Sequence, residues 1–118
     1  MRVLDVMPSD KGPVAFEINS ALGRRLTARI IARVEGVRIL RRPRLFAGNH
    51  EEVFCEFVLQ DQLFNAWEPF GDNSRYWIGP SNGTRTSVLL PVRQAFVDYK
   101  RPWSSWLAIW KRQGKGIL

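Results

Sequence analysis

The chain has 118 residues, 45% of them hydrophobic and 25% charged, a size and balance that fit one folded domain and exclude wholesale disorder. Its formal net charge of +7 comes from 18 Lys and Arg against 11 Asp and Glu, so the distribution of arginine decides which partners suit it. One cysteine, Cys55, and one histidine, His50, exclude an intramolecular disulfide and a metal site built from paired histidines or cysteines, and neither metal nor cofactor is expected.

In chain order, the residues to about Pro13 read as a loose tail. Arg2 is followed by an apolar stretch that Asp5 breaks and Pro8 stops, which is not the pattern of a secretory signal. No run approaches the ~18 apolar residues that cross a bilayer, and a cytoplasmic location is expected. From Ser20 to Gly36, Leu22, Leu26, Ile30 and Val34 recur beneath arginines, which predicts an amphipathic helix with Gly36 as its stop. The same stretch also alternates through Leu26, Ala28, Ile30, Ala32 and Val34, interrupted by Ile31, so a strand is the alternative.

"VRILRRPRLFAG" reads as strand-like around Pro43, which places it at an edge or bulge. "EVFCEFVLQ" is a strand with Val53, Cys55, Phe57 and Leu59 on one side and Phe54, Glu56 and Val58 on the other. "LFNAWEPF" returns antiparallel to it, closed by Pro69 and the turn "GDNS", and "RYWIG" is a further short strand. Asn82-Gly83-Thr84 has the form of a glycosylation acceptor and reads as a turn. "PVRQAFVDYK" is a helix that begins at Pro91, where a first turn tolerates proline, and is closed by Pro102. Ser104 can cap a last helix whose broad face carries Trp103, Trp106, Leu107, Ile109 and Trp110. The expected architecture is a single α+β domain, residues 1–118: a small curved antiparallel sheet of about three to five strands with an N-terminal amphipathic helix and C-terminal helices.

The face of Trp103, Trp106 and Trp110 needs an apolar cover. The first expectation is this protein's own sheet, the second a second copy in a homodimer, the third a membrane surface.

Arginine is concentrated early: Arg24, Arg25, Arg29, Arg33, Arg38, Arg41, Arg42 and Arg44 are opposed only by Glu35. Arg24, Arg25, Arg29, Arg33, Arg41, Arg42 and Arg44 are therefore candidates for phosphate contacts. An acidic block follows, Glu51, Glu52, Glu56, Asp61, Glu68 and Asp72, with no Lys or Arg among them. Paired across strands or across an interface, the two blocks would cancel much of the field.

Signals of catalysis are thin. His50 and Cys55 could pair as base and nucleophile, but Cys55 sits in an apolar alternation that implies burial. The carboxylates read as a solvated acidic face, and no Gly-rich phosphate loop is present. An enzyme is not expected. "EPFGDNSRYWIGP" reads as a hairpin turn carrying core aromatics; alternatively Asp72, Asn73, Arg75 and Tyr76 form a polar cluster that recognises a ligand.

"DQLFN", Asp61 to Asn65, resembles the D-x-x-hydrophobic-N segment of the Sm-like family, and "WIGPSNG" resembles its later hydrophobic-I-x-G strand and turn. The likeness spans roughly residues 20 to 83. It implies a strongly curved small sheet, ring-like or dimeric association, and RNA contact through Asp61 and Asn65. The functional expectation is a basic binding module for RNA or another nucleic acid. The alternative is a protein-interaction or homodimerisation domain that binds none.

Overall fold

A computed structural model of the chain describes residues 1–43, 53–69 and 74–100. Its strands are β1 (Leu4–Val6), β2 (Ala15–Asn19), β3 (Arg38–Arg41), β4 (Val53–Leu59), β5 (Gln62–Trp67) and β6 (Arg75–Pro80), and its helices are α1 (Arg24–Ala32) and α2 (Leu89–Asp98). A single 3-10 turn, Ser20–Leu22, precedes α1. The six strands form one sheet in the order β1-β2-β6-β5-β4-β3, with every neighbouring pair antiparallel. After β2 the chain passes through α1 to the far edge, then meanders back from β3 until β6 docks beside β2.

Alternation divides the sheet into two faces. Phe16 and Ile18 of β2, Ile78 of β6, Phe64 and Ala66 of β5, and Cys55 and Phe57 of β4 are fully buried on one face. Both helices cover that face: Thr27, Ala28, Ile30 and Ile31 point inward from α1, and Leu89, Val92 and Phe96 from α2. Phe16 meets Phe96 at 5.5 Å between ring centroids, and Phe57 stacks on Phe64 at 5.2 Å. Such ring pairs are worth about 0.5–1.5 kcal/mol beyond the area they bury.

The sheet therefore has six strands, where three to five were expected. The helix expected at the N-terminal end instead follows two strands, and the expected C-terminal helix beyond Lys100 lies outside the described residues. The miss is at the start. Residues to Pro13, expected as a loose tail, include β1, which hydrogen-bonds along β2 with Leu4 opposite Glu17 and Val6 opposite Ala15. Arg85 fastens the connecting turn by donating through Nη1 to the carbonyl oxygens of Met7 and Gly12. The stretch from Ser20 to Gly36 is helical, not extended, but it is divided. Gly23 stands at φ 85°, ψ 152°, between the 3-10 turn and α1, a conformation favoured by the lack of a β-carbon.

A bulge between Val53 and Cys55 changes the faces of two residues: Val53, expected beside Cys55, stands opposite Trp67 on the other face. Phe54, expected opposite Cys55 and Phe57, is buried with them and lies 4.7 Å from the Tyr76 ring. Between β4 and β5, Gln60 and Asp61 both adopt positive φ, 50° and 61°, the form of the tight hairpin turn whose twist matches that of the strands. Asn82-Gly83-Thr84 is a turn, closed by Gly83 N–H on the Pro80 carbonyl and Thr84 N–H on Asn82 Oδ1.

Candidate nucleic-acid interface

The arginines of α1 separate by face. Arg24, the first helical residue, turns inward. Its Nε and Nη2 both donate to Glu68 Oε1, at 3.0 and 2.7 Å, and its guanidinium lies 5.1 Å from the Phe54 ring centroid. Glu68 is buried, so it needs such a partner. Tyr76 adjoins this group, and its pKa is raised by burial first and then by the Glu68 charge, against the charge and hydrogen bond of Arg24.

Arg25 and Arg29 point outward, away from Ala28 and Ile31, and Arg33 continues the same line at the end of the helix. Four-residue spacing sets these three in a row about 12 Å long, long enough to follow a stretch of phosphate backbone. All three are exposed. None of their side chains makes an ion pair or hydrogen bond among the described residues, and the same holds for the side chains of Arg38 and Arg42.

The acidic block reaches only part of the arginine block. Glu68 takes Arg24, and Glu56 takes Arg41 across the β3–β4 pair at 3.8 Å. Arg38 and Arg41 lie on the edge strand β3, where charge also serves to discourage pairing with another sheet. The row on α1 has no such explanation. Arg44, with Glu51, Glu52 and Asp72 of the acidic block, lies outside the described residues.

The other expected site residues are dispersed. Asp61 is exposed at the β4–β5 turn, while Asn65 lies mid-strand on the face away from the helices, between Glu56 and Gly79. Arg75 and Tyr76 are neighbours in β6 yet point to opposite faces, Tyr76 into the core and Arg75 outward, 3.3 Å from Glu17. The β5–β6 register puts Asp61 and Arg75 at opposite ends of the sheet. Asp72, Asn73, Trp103, Trp106 and Trp110 lie outside the described residues. So does His50, which leaves Cys55 to be judged by itself. Its thiol is fully buried, and burial, opposed by Arg42 and aided by Glu56, pushes its pKa to about 11. It stays protonated near neutrality, in the state least suited to nucleophilic attack.

Among the described residues no group of His, Cys, Asp and Glu could hold a metal ion, and no helix is long and apolar enough to cross a membrane. Comparison with protein-family models, curated proteins and solved structures found no match to this chain. The resemblance to the Sm-like family is untouched by that result, and the candidate interface rests on its own geometry.

Sequence reasoning missed one feature of the other sheet face. Trp67 and Trp77 pack edge to face at 5.8 Å, joined by the direct register of β5 and β6. The alternation in "NAWEPF" and "RYWIG" was the signal that could have found them.

Proposed function

We propose that this chain is a basic binding module that holds nucleic acid, RNA foremost, by its phosphate backbone through Arg25, Arg29 and Arg33. Arg38 on the edge strand β3 and Arg42 just after it add charge. One observation carries the reading: three exposed arginines of one sign share a line on α1, and although the last turn favours Arg29, the first turn disfavours Arg25. Like charges four residues apart destabilise a helix by about 0.2–0.5 kcal/mol per pair. A cation in the first turn opposes the macrodipole at a further 0.3–1 kcal/mol or so. The first turn of α1 holds no acidic residue, and Arg25 stands in it. A merely solvated face would favour mixed signs, so the same-sign row is best explained by an anion that neutralises it.

The test is a titration of a fluorescently labelled single-stranded RNA at low salt, read by anisotropy. Binding that weakens at least about tenfold in Arg25→Ala/Arg29→Ala/Arg33→Ala, with an unchanged circular dichroism spectrum, supports the reading. Equal affinity in the variant overturns it.

A second reading, self-association, is favoured by Leu40 and Leu63, which are 48% and 40% exposed. Leu63 stands on the face away from the helices, directly opposite Val58, and Leu40 lies at the irregularity of the edge strand between Ile39 and Arg41. Light scattering decides it: a dimer that dissociates on Leu63→Glu supports it, and a monomer at every concentration removes it.

A further inference from the structure

A pocket of about 240 Å³ opens at the β1–β2–β6 end of the sheet, lined by Met1, Arg2, Leu4, Asn19 and Arg75. None of its lining residues belongs to the α1 row, and its polar residues come from β2, from β6 and from the segment that leads into β1. Asn19 is the direct partner of Arg75. Asn19 and Arg75 are thus paired across adjacent strands about 4.8 Å apart, and Arg2, from the segment before β1, lines the same pocket.

The chemistry of that lining is one-sided. A guanidinium has donors and no acceptor. The Asn19 side-chain oxygen already accepts from the Ala21 N–H at 2.7 Å, which leaves its NH2 donors as the remaining hydrogen-bonding capacity. The nearest carboxylate, Glu17, engages Arg75 Nε at 3.3 Å and does not line the pocket. Arg2 has no ion pair or hydrogen bond among the described residues. Two arginines and one amide that line a pocket with no acid among its lining residues present donors that an anion or water can satisfy. We infer that this pocket binds a phosphate group, with Arg2, Arg75 and the Asn19 amide as its donors. A tetrahedral dianion offers oxygens to both guanidinium groups at once, whereas a planar carboxylate is satisfied by a single bidentate arginine.

The inference does not depend on nucleic-acid binding by α1, and the experiment separates the two. Inorganic phosphate is titrated into the untagged full chain at constant ionic strength, following the Asn19 side-chain amide and Arg75 Nε–H signals by NMR. Saturable shifts are expected. Arg2→Ala and Arg75→Ala should each weaken binding about tenfold, the equivalent of one charge-assisted hydrogen bond. Glu17→Gln, which releases Arg75 from its competitor, should strengthen binding several-fold, an effect that a purely structural Glu17 would not produce. Arg25→Ala/Arg29→Ala/Arg33→Ala should leave it unchanged. Adenosine 5′-monophosphate in parallel identifies the source: tighter binding than inorganic phosphate assigns the pocket to a phosphate ester, and equal binding assigns it to the free ion. Shifts that do not saturate, binding indifferent to Arg75→Ala, or acetate binding as tightly as phosphate would each overturn the assignment.

Discussion

Arg24 and Glu68, 44 residues apart, meet at 2.7 Å where the first turn of α1 lies against the end of β5. The Glu68 side chain is 6% exposed and that of Arg24 24%, so the pair is held in a medium where an unpartnered charge is costly. The two sign-segregated segments of the sequence touch at this point, and the contact positions α1 on the sheet. Glu68→Ala should therefore lower stability by about 3 kcal/mol in urea unfolding, because it strands the inward arginine. Glu68→Ala with Arg24→Met should recover part of that loss. Additive losses would mean that the pair is not coupled.

Gly79 is needed for a different reason. A β-carbon at this position would lie 2.7 Å from the Ala15 β-carbon on the neighbouring strand and 3.1 Å from the Val14 carbonyl oxygen. Backbone is on one side and a buried residue on the other, so neither can give way easily. Gly79→Ala should destabilise by about 1–3 kcal/mol, as overpacking does elsewhere. An unchanged denaturation midpoint would show that β2 and β6 can part locally.

Much of the meander could be read from the sequence, because "EVFCEFVLQ", "LFNAWEPF" and "RYWIG" alternate over five to nine residues and are separated by turn residues. β1 and β2 were harder to see. β1 is three residues long, and Phe16 and Ile18 of β2 alternate only briefly before Asn19 caps the 3-10 turn that leads to α1. Pro8 and Pro13 between them read as a tail, although they bound a turn that Arg85 fastens from 73 residues away. Of the candidate site, the outward row Arg25, Arg29 and Arg33 follows from helical spacing. That Arg24 leaves the row could not be foreseen, since it depends on Glu68, a partner the sequence does not align with it.

The buried thiol makes stability depend on alkaline pH. Cys55 rises from an ordinary 9.0 to about 11 in the fold, so the native state keeps a proton that the unfolded chain releases. Its contribution is whole below about pH 9 and is lost as pH climbs through about 11, by roughly 2–3 kcal/mol for a shift of this size. Tyr76, also raised, works in the same direction above its ordinary 10.0. Urea unfolding at pH 8 and pH 11 should show this fall, and Cys55→Ala should shrink it while lowering stability at pH 8 through the cavity it leaves. A Cys55→Ala profile parallel to the wild type would refute the assignment.

At Arg25 stability and binding should move in opposite directions. Arg25→Glu puts an acid in the first turn and four residues before Arg29, which is favourable for both macrodipole and side-chain pairing. Thermal or urea unfolding should show a gain of about 0.5–1 kcal/mol. RNA affinity should fall in the same protein. A variant that loses stability would show that Arg25 has a structural partner, and one that keeps full affinity would detach this residue from the interface.

The salt dependence of RNA binding tests the central claim most directly. Three to five arginines facing a single strand give a slope of about −2 to −3.5 for log K against log salt, at roughly −0.7 for each phosphate neutralised. Replacing Arg25, Arg29 and Arg33 by alanine should make the slope about 2 shallower while the fold stays intact. A flat salt profile in the wild type, or a slope that the triple variant leaves unchanged, would contradict it.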